Sequence, residues 1–195
     1  MRNATDLKAR MVDMASELFR TQGYMRTTNK QIAEALNCTT AALYYYFPAG
    51  KRELLRTAAQ VQSQLARNVL ARVNSAAPLS GLLAQLSQTI TQELANISAQ
   101  SSWLYMELEA LEAPDQRFVQ EQFLLIQAGL AEQLHRLVPD QAESYQYAWL
   151  ILSAIAGYQA IFHRMGIHQL APQFDSTVLL ELVMRCIGFS PQRNA

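Results

Sequence analysis

Residues 27–55 read TTNKQIAEALNCTTAALYYYFPAGKRELL, and this stretch decides the fold. Thr28 followed three residues later by Gln31 has the form of a capping box, which begins a helix by satisfying backbone amides from both ends of the motif. Asn37 tolerates the left-handed conformation of a tight turn, and Thr39 is suited to cap a second helix. The stretch therefore predicts two short helices joined by a turn.

The second of these helices is predicted over residues 40–46, and its composition suits contact with another molecule. Leu43 and Phe47 are four residues apart and can face inward together. The other positions offer hydroxyls, a methyl group and three consecutive tyrosines to solvent or a partner: Thr39, Thr40, Ala41, Tyr44, Tyr45 and Tyr46. Tyrosine supplies a flat apolar ring and a hydroxyl that can bind phosphate. The alternative is that one or two of these rings pack on a neighbouring helix, which we expect of at least one.

The charge distribution favours a polyanionic partner for the N-terminal part of the chain. The formal net charge is zero, with 16 basic and 16 acidic residues. Residues 1–56, however, hold nine Lys or Arg against five Asp or Glu, whereas residues 57–195 hold seven against eleven. The two parts therefore carry opposite charges of equal size, as expected when only one end of a protein meets phosphate.

Length and composition predict a globular protein. The chain has 195 residues, of which 50% are hydrophobic and 16% charged. No apolar run reaches the roughly 18 residues that span a bilayer, and the first twenty residues lack the apolar centre of a signal peptide. We therefore expect a cytoplasmic protein. Cys38 and Cys186 lie far apart without metal-ligand spacing, which favours core positions over a disulfide.

The rest of the chain is predicted to form further helices. Thr5 is predicted to cap a first helix that stops at Gly23, and a long helix is predicted from Lys51 to about Asn74. Prolines separate later segments, with helices predicted near 79–99, 101–113, 115–137, 140–165 and 175–188. Predicted caps and ends of the last two helices are Asp140, Asp175, Gly166 and Gly188. No alternating pattern of a strand occurs, so the predicted fold class is all-α.

Within this framework the chain resembles the N-terminal domain of TetR-family transcriptional regulators. The resemblance rests on Gly23-Tyr24, Thr27-Thr28, Ile32-Ala33, Leu43-Tyr44, Tyr46-Phe47, Lys51 and Glu53-Leu54-Leu55. Asn37, Thr39 and Ala41 replace residues more usual in the family, but each keeps the role of turn former, cap or small residue. The resemblance implies a three-helix helix-turn-helix DNA-binding domain over residues 1–50 and a larger helical ligand-binding and dimerisation domain over residues 51–195.

The family's DNA contacts fall on positions that match in this sequence. Thr28 and Lys51 are expected to meet phosphate at helix N-termini, where exposed amides favour anions. Tyr44 and Tyr46 are expected to add hydroxyl bonds to phosphate, and Thr39 to position the backbone. The resemblance leaves Thr40, Ala41 and Tyr45 to meet base edges in the major groove of a double-stranded DNA operator.

A homodimer is predicted from both the sequence and the resemblance. The helix near 140–165 is apolar on two sides and must be covered on both. A second copy can cover one side, with a four-helix interface completed on the last helix by Leu179, Leu182, Val183 and Cys186. Two recognition helices one DNA turn apart then read a palindromic operator.

The family resemblance also implies a pocket for a small-molecule effector whose binding releases a repressor from DNA. Predicted lining residues are Trp103, Met106, Glu107, Phe118, Phe123, Trp149, Tyr158 and Phe162. As a set they suit a bulky apolar ligand, and Glu107 beside Trp103 suits a cationic one. For each aromatic residue taken alone, packing in the core is the competing interpretation. No cofactor or metal is predicted.

Two other function classes compete with this interpretation of the sequence. An enzyme is disfavoured because His135, His163 and His168 have no assembled nucleophile, paired carboxylates or metal motif beside them. A helical adaptor of the same fold, binding a protein partner in place of DNA, remains the alternative. The basic N-terminal part and its phosphate-suited caps favour DNA.

Overall fold

The computed structural model describes residues 2–73, 79–163, 165–171 and 173–186, and these contain helices and turns without a strand. The all-α prediction is confirmed. The chain divides into two compact units. The first unit comprises Met1–Gln62 and Trp103–Gln122, and the second comprises Ser63–Ser102 and Phe123–Ala195.

The helices follow one another along the whole described chain. The first four are α1 (Arg2–Gln22), α2 (Asn29–Ala35), α3 (Thr40–Tyr46) and α4 (Lys51–Ala71). They are followed by α5 (Leu79–Gln88), a π-helical turn (Thr89–Leu94), α6 (Ala95–Met106), a 3-10 turn (Leu108–Ala110) and α7 (Ala113–His135). The last are α8 (Gln141–Tyr158), a second π-helical turn (Gln159–His163), α9 (Ile167–Leu170) and α10 (Ser176–Cys186).

The caps predicted from the sequence set the bounds of α2 and α3. Thr28 and Gln31 form the full capping box, with each side chain bonded to the other residue's backbone. Asn37 has a φ of 54°, the left-handed value expected of the turn. Thr39 accepts a hydrogen bond of 3.1 Å from the amide of Ala42 and begins α3. The predicted helix-turn-helix is therefore present.

Two helix predictions in the rest of the chain were wrong at their boundaries. Helix α1 begins at Arg2, so Thr5 lies inside it and is not its cap. No helix ends near residue 100, because α6 continues to Met106. The hydroxyls of Ser101 and Ser102 donate to backbone carbonyls of their own helix, which lets the serines remain in helical conformation. The predicted helix end at Gly188 lies outside the described residues.

Each unit has its own hydrophobic core. The core of the first unit joins α1, α2, α3 and the start of α4 to residues from α6 and α7, with Phe19, Phe47, Leu54 and Leu55 almost fully buried. The core of the second unit is mainly aliphatic and joins α4 to α8 and α10. Both π-helical turns belong to this second unit.

Candidate nucleic-acid interface

Helix α3 is held by its apolar side and presents the opposite side to solvent. Leu43 and the adjoining Phe47 are fully buried in the first unit. Thr40, Ala41 and Tyr44 are exposed, and Tyr45 is 80% exposed. A tyrosine ring left in water on a seven-residue helix gives up the free energy that its burial would contribute. The exposed face of α3 is therefore a candidate contact surface.

Tyr46 plays a different part from its two neighbours. It is half-buried and packs against the core of the first unit. Its ring meets that of Tyr45 edge to face, with centroids 5.0 Å apart and an interplanar angle of 87°. One of the three tyrosines thus packs on the protein as expected, and it supports the most exposed one.

A chain of hydrogen bonds ties α2, α3 and the start of α4 together. The side-chain amide of Asn29 donates to the Tyr44 hydroxyl oxygen at 2.8 Å. Its oxygen accepts from the backbone amide of Lys51 at 2.6 Å. Sequence reasoning did not single out Asn29, because its partners lie 15 and 22 residues away and have no periodic signature.

The ammonium of Lys51 lies against the loop between α1 and α2. It donates to the carbonyl oxygens of Tyr24 and Thr27, each at 3.0 Å, and lies 4.4 Å from the centroid of the Tyr24 ring. Burial lowers the pKa of Lys51, and the negative charge of Glu107 opposes this effect. An ammonium has three hydrogens, so one N–H is not used by these two carbonyls.

The two threonine caps differ in whether their hydrogen-bond donors are already used within the protein. The amide and the hydroxyl of Thr28 both donate to the Gln31 side chain. Thr39 is exposed and uses its hydroxyl oxygen as an acceptor, which leaves the hydroxyl hydrogen for a partner. Thr39 is thus better placed than Thr28 to contact DNA with its side chain.

The match to a known family falls on these same helices. Residues 12–58 match the model of the bacterial regulatory proteins of the TetR family. Over these residues the chain is similar to the N-terminal domain of TetR-family regulators. Its N-terminal helices form the DNA-binding helix-turn-helix of that family. No curated protein matches the chain.

Solved structures of TetR-family regulators share the fold over most of the chain. A TetR regulator from Legionella pneumophila is 21% identical, with a TM-score of 0.70 over 91% of this chain and 95% of that one. The fatty acid degradation regulator FadR from Bacillus halodurans is 16% identical, with a TM-score of 0.73 over 96% and 97%. The regulator PfmR from Thermus thermophilus is 17% identical, with a TM-score of 0.67 over 90% and 97%.

The structure distributes the predicted effector residues over both units of the chain. Trp103 is buried in the core of the first unit, with its ring 5.1 Å from that of Phe19. Phe118 packs beside the same core, 5.4 Å from the guanidinium of Arg56. Met106 is 39% exposed. Glu107 lies against the turn after α1, where a Cβ added to Gly23 would come within 3.0 Å of its carboxylate.

The other four predicted residues form two aromatic groups in the second unit. Phe123 and Trp149 are neighbours, with ring centroids 5.8 Å apart. Tyr158 and Phe162 stack at 4.9 Å with nearly parallel rings, and Phe162 also meets Phe174 at 5.3 Å. The Tyr158 hydroxyl donates to the Phe174 carbonyl at 3.3 Å. These aromatic groups are the part of the predicted set that the structure brings together.

The second unit also contains a cleft of about 430 Å³ with both polar and apolar lining residues. It is lined by residues of α4, α7 and α8, including Arg67, Glu132, His135 and Tyr145. None of the eight predicted effector residues lines it. Among the described residues, the Nε of Arg67 is buried and has no hydrogen-bond partner.

A buried ionic contact in the first unit was also missed by the sequence analysis. Asp115, at the start of α7, is only 3% exposed at its side chain and pairs with Arg52 at 2.7 Å and with Arg56 at 2.6 Å. Glu112 adds a more exposed contact to Arg52 at 3.3 Å. This contact fixes the first half of α4 to the start of α7. Its partners are separated by about sixty residues, so no spacing rule could have found them.

Within the described part of the chain, no group of three or more His, Cys, Asp or Glu residues is placed to hold a metal ion. None of the described helices is long and apolar enough to cross a membrane.

Proposed function

We propose that the chain is a homodimeric transcriptional repressor that binds a palindromic operator and is released by a small-molecule effector. The observation that carries this proposal is the exposed face of α3 on a TetR-family helix-turn-helix. Exposed rings and hydroxyls on a short helix that is packed on its other side are better suited to contact the major groove of DNA than to remain in water. An adaptor that binds protein would have no use for the basic N-terminal part.

The proposed DNA contacts divide into two kinds. Thr39, Tyr44 and Tyr46 bind phosphate oxygens, and these contacts act alike on every sequence. Thr40, Ala41 and Tyr45 meet base edges, with the methyl group of Ala41 suited to thymine. Thr28 and Lys51 complete the phosphate set. We expect them to contribute less, because most of their donors already bond within the protein.

Selection of duplexes from a random DNA pool by the purified protein tests this function directly. We expect a palindrome whose half-sites are about one helical turn apart. Substitution of Thr40 should change the preferred bases, whereas Tyr44→Phe should weaken binding to all duplexes alike. Failure to enrich any duplex, together with binding that does not depend on salt, would overturn the proposal and favour the adaptor.

The proposed dimer uses the outward sides of α8 and α10. Helix α10 packs against α8 within the second unit. Leu150 on α8 is 45% exposed and Leu182 on α10 is 41% exposed, whereas Tyr145 and Trp149 of α8 face α7. Large apolar residues left exposed on two packed helices are typical of an interface between subunits.

Gly157 offers a test that separates dimerisation from folding. Among the described residues, an added Cβ there would meet no atom within 4 Å outside the adjoining backbone of its own helix. Gly157→Leu should therefore leave the subunit folded, and the better helix propensity of leucine should stabilise it by about 0.5–1 kcal/mol. In a close helix contact between subunits the larger side chain should instead disrupt the dimer. Sedimentation that shows Gly157→Leu and wild type equally dimeric would contradict this interface.

We propose that the effector binds in the second unit, against the aromatic group formed by Tyr158, Phe162 and Phe174. Stacked rings near the π-helical end of α8 offer an apolar surface for a bulky ligand. Binding there releases DNA only if the ligand prefers the state that does not bind the operator. Trp103, Met106, Glu107 and Phe118 belong to the first unit, so the proposed effector site does not include them.

A panel of small molecules scored by thermal shift, followed by release of bound DNA, tests the effector site. Phe162→Ala should abolish the shift caused by an apolar effector. Arg67→Leu serves as the comparison, because Arg67 lines the cleft and takes no part in the aromatic contacts described above. If the thermal shift caused by an active effector were lost in Arg67→Leu and retained in Phe162→Ala, the effector would instead bind in the cleft.

A further inference from the structure

Asn29, the first residue of α2, forms hydrogen bonds to α3 and to the start of α4, and both of these helices carry proposed DNA contacts. Its side-chain nitrogen lies 2.8 Å from the Tyr44 hydroxyl of α3. Its side-chain oxygen lies 2.6 Å from the backbone nitrogen of Lys51, where α4 begins. One side chain therefore joins three helices through two short hydrogen bonds.

The direction of each bond follows from the chemistry of its groups. The backbone amide of Lys51 can only donate, so it must face the side-chain oxygen of Asn29. The side-chain nitrogen of Asn29 then faces Tyr44, and since an amide nitrogen can only donate, the hydroxyl oxygen of Tyr44 must accept. A phenol has a single hydrogen. That hydrogen is not used by Asn29 and is directed elsewhere.

Gly50 keeps the room that this arrangement needs. Its φ is +60°, and a Cβ added there would lie 2.6 Å from the side-chain nitrogen of Asn29 and 2.9 Å from its oxygen. Such distances are too short for any side chain to occupy. Glycine at position 50 therefore serves the left-handed backbone and the close approach of Asn29 at once.

We infer that Asn29 is a positioning residue for DNA binding, which holds the Tyr44 hydroxyl so that its hydrogen is donated to a phosphate oxygen of the DNA backbone. The inference rests on the DNA binding proposed above. Tyr44 is 47% exposed, so its ring is partly held while its hydroxyl can reach a ligand. Because the Tyr44 hydroxyl already accepts one hydrogen bond, it can donate its hydrogen to an anion without changing its orientation when DNA binds.

The test is a double-mutant cycle of Asn29→Asp and Tyr44→Phe. The aspartate has nearly the same shape, and one of its oxygens can still accept from the Lys51 amide. Its other oxygen can only accept, so Tyr44 must turn its hydrogen inward and lose it as a donor to phosphate. The extra negative charge weakens DNA binding whether or not Tyr44→Phe is also present, and it therefore cancels from the comparison.

Affinity is measured for a fluorescein-labelled duplex that the wild-type protein selects from random-sequence DNA. In the wild-type background, Tyr44→Phe should raise Kd by about tenfold, as for a hydrogen bond to a charged group. In the Asn29→Asp background the same change should raise Kd by less than about twofold, because no donor is left to remove. The thermal midpoint of each variant is recorded alongside.

A purely structural role for Asn29 predicts another pattern. It would lower the thermal midpoint of Asn29→Asp and leave the cost of Tyr44→Phe the same in both backgrounds, and that equality would overturn the inference. Asn29→Ala provides a second measure should the aspartate variant fold poorly, since a freely rotating hydroxyl should also reduce the cost of Tyr44→Phe. Wild-type protein that selects no duplex would overturn the proposed function itself, whereas wild-type binding with equal costs overturns the positioning role alone.

Discussion

The two compact units are built by different kinds of contact. The first unit joins residues far apart in sequence through short polar bonds, such as Asn29 to Lys51 at 2.6 Å and Arg56 to Asp115 at 2.6 Å. The second unit has a mainly aliphatic core. Its Arg72 and Glu93 form an ion pair at the surface, and its buried polar contacts to distant backbone are longer, as with Gln127 to the carbonyl of Tyr145 at 3.3 Å. Directional bonds fix the geometry of a surface, whereas apolar packing tolerates small shifts.

This difference matches the tasks proposed for the two units. A surface that must meet phosphates and base edges in register requires side chains held in one direction. A unit that binds effectors of irregular shape can instead use adaptable packing around aromatic rings and π-helical turns, which are frequent at functional sites. The chain therefore places geometric precision in the first unit and adaptability in the second.

The largest expected effect comes from cutting into the aliphatic core of the second unit. Leu130 of α7 is fully buried there, and Leu130→Ala should cost about 3 kcal/mol of unfolding free energy through lost burial and the cavity left behind. The matched control is Leu124→Ala, on the same helix at 50% exposure, which should cost less than about 0.5 kcal/mol. Denaturant unfolding at one fixed protein concentration measures both. Equal costs would show that aliphatic packing does not hold this unit.

The next effect in size concerns the ionic contact of the first unit. Asp115→Asn leaves Arg52 and Arg56 without their shared carboxylate. Because both guanidinium groups are about 40% exposed and can regain water, we expect a loss of about 2 kcal/mol, below the range for fully buried pairs. Glu112→Gln is the matched control and should cost less than about 0.5 kcal/mol, since its carboxylate is exposed. If high salt removed the difference in unfolding free energy between Asp115→Asn and wild type, the contact would be exposed to solvent and not part of the unit's interior.

Local sequence signals predicted α2 and α3, but they did not predict the contacts between residues that are distant in sequence. The caps Thr28 and Thr39 and the turn at Asn37 bond within three or four residues, so their patterns are visible in the sequence. The partners of Asn29 and Asp115 are brought together only by the fold, and no spacing rule joins them. The aromatic residues were recognised as a set, but their division between two units depends on packing that composition does not encode.

The smallest expected effect distinguishes a helix cap whose hydrogen bonds all lie within the protein from one that is also proposed to contact DNA. Thr28→Ala and Thr39→Ala should each cost about 1 kcal/mol of stability, the usual loss for an N-cap threonine. Their effects on DNA binding should differ, since the donors of Thr28 end on Gln31 whereas the Thr39 hydroxyl hydrogen is left for phosphate. Thr39→Ser retains both cap and hydroxyl and should restore stability and affinity together. Amide exchange should show fraying confined to α3 in Thr39→Ala, with the second unit unchanged. If Thr28→Ala weakened DNA binding as much as Thr39→Ala at equal stability, the donors of Thr28 would have to leave Gln31 when DNA binds.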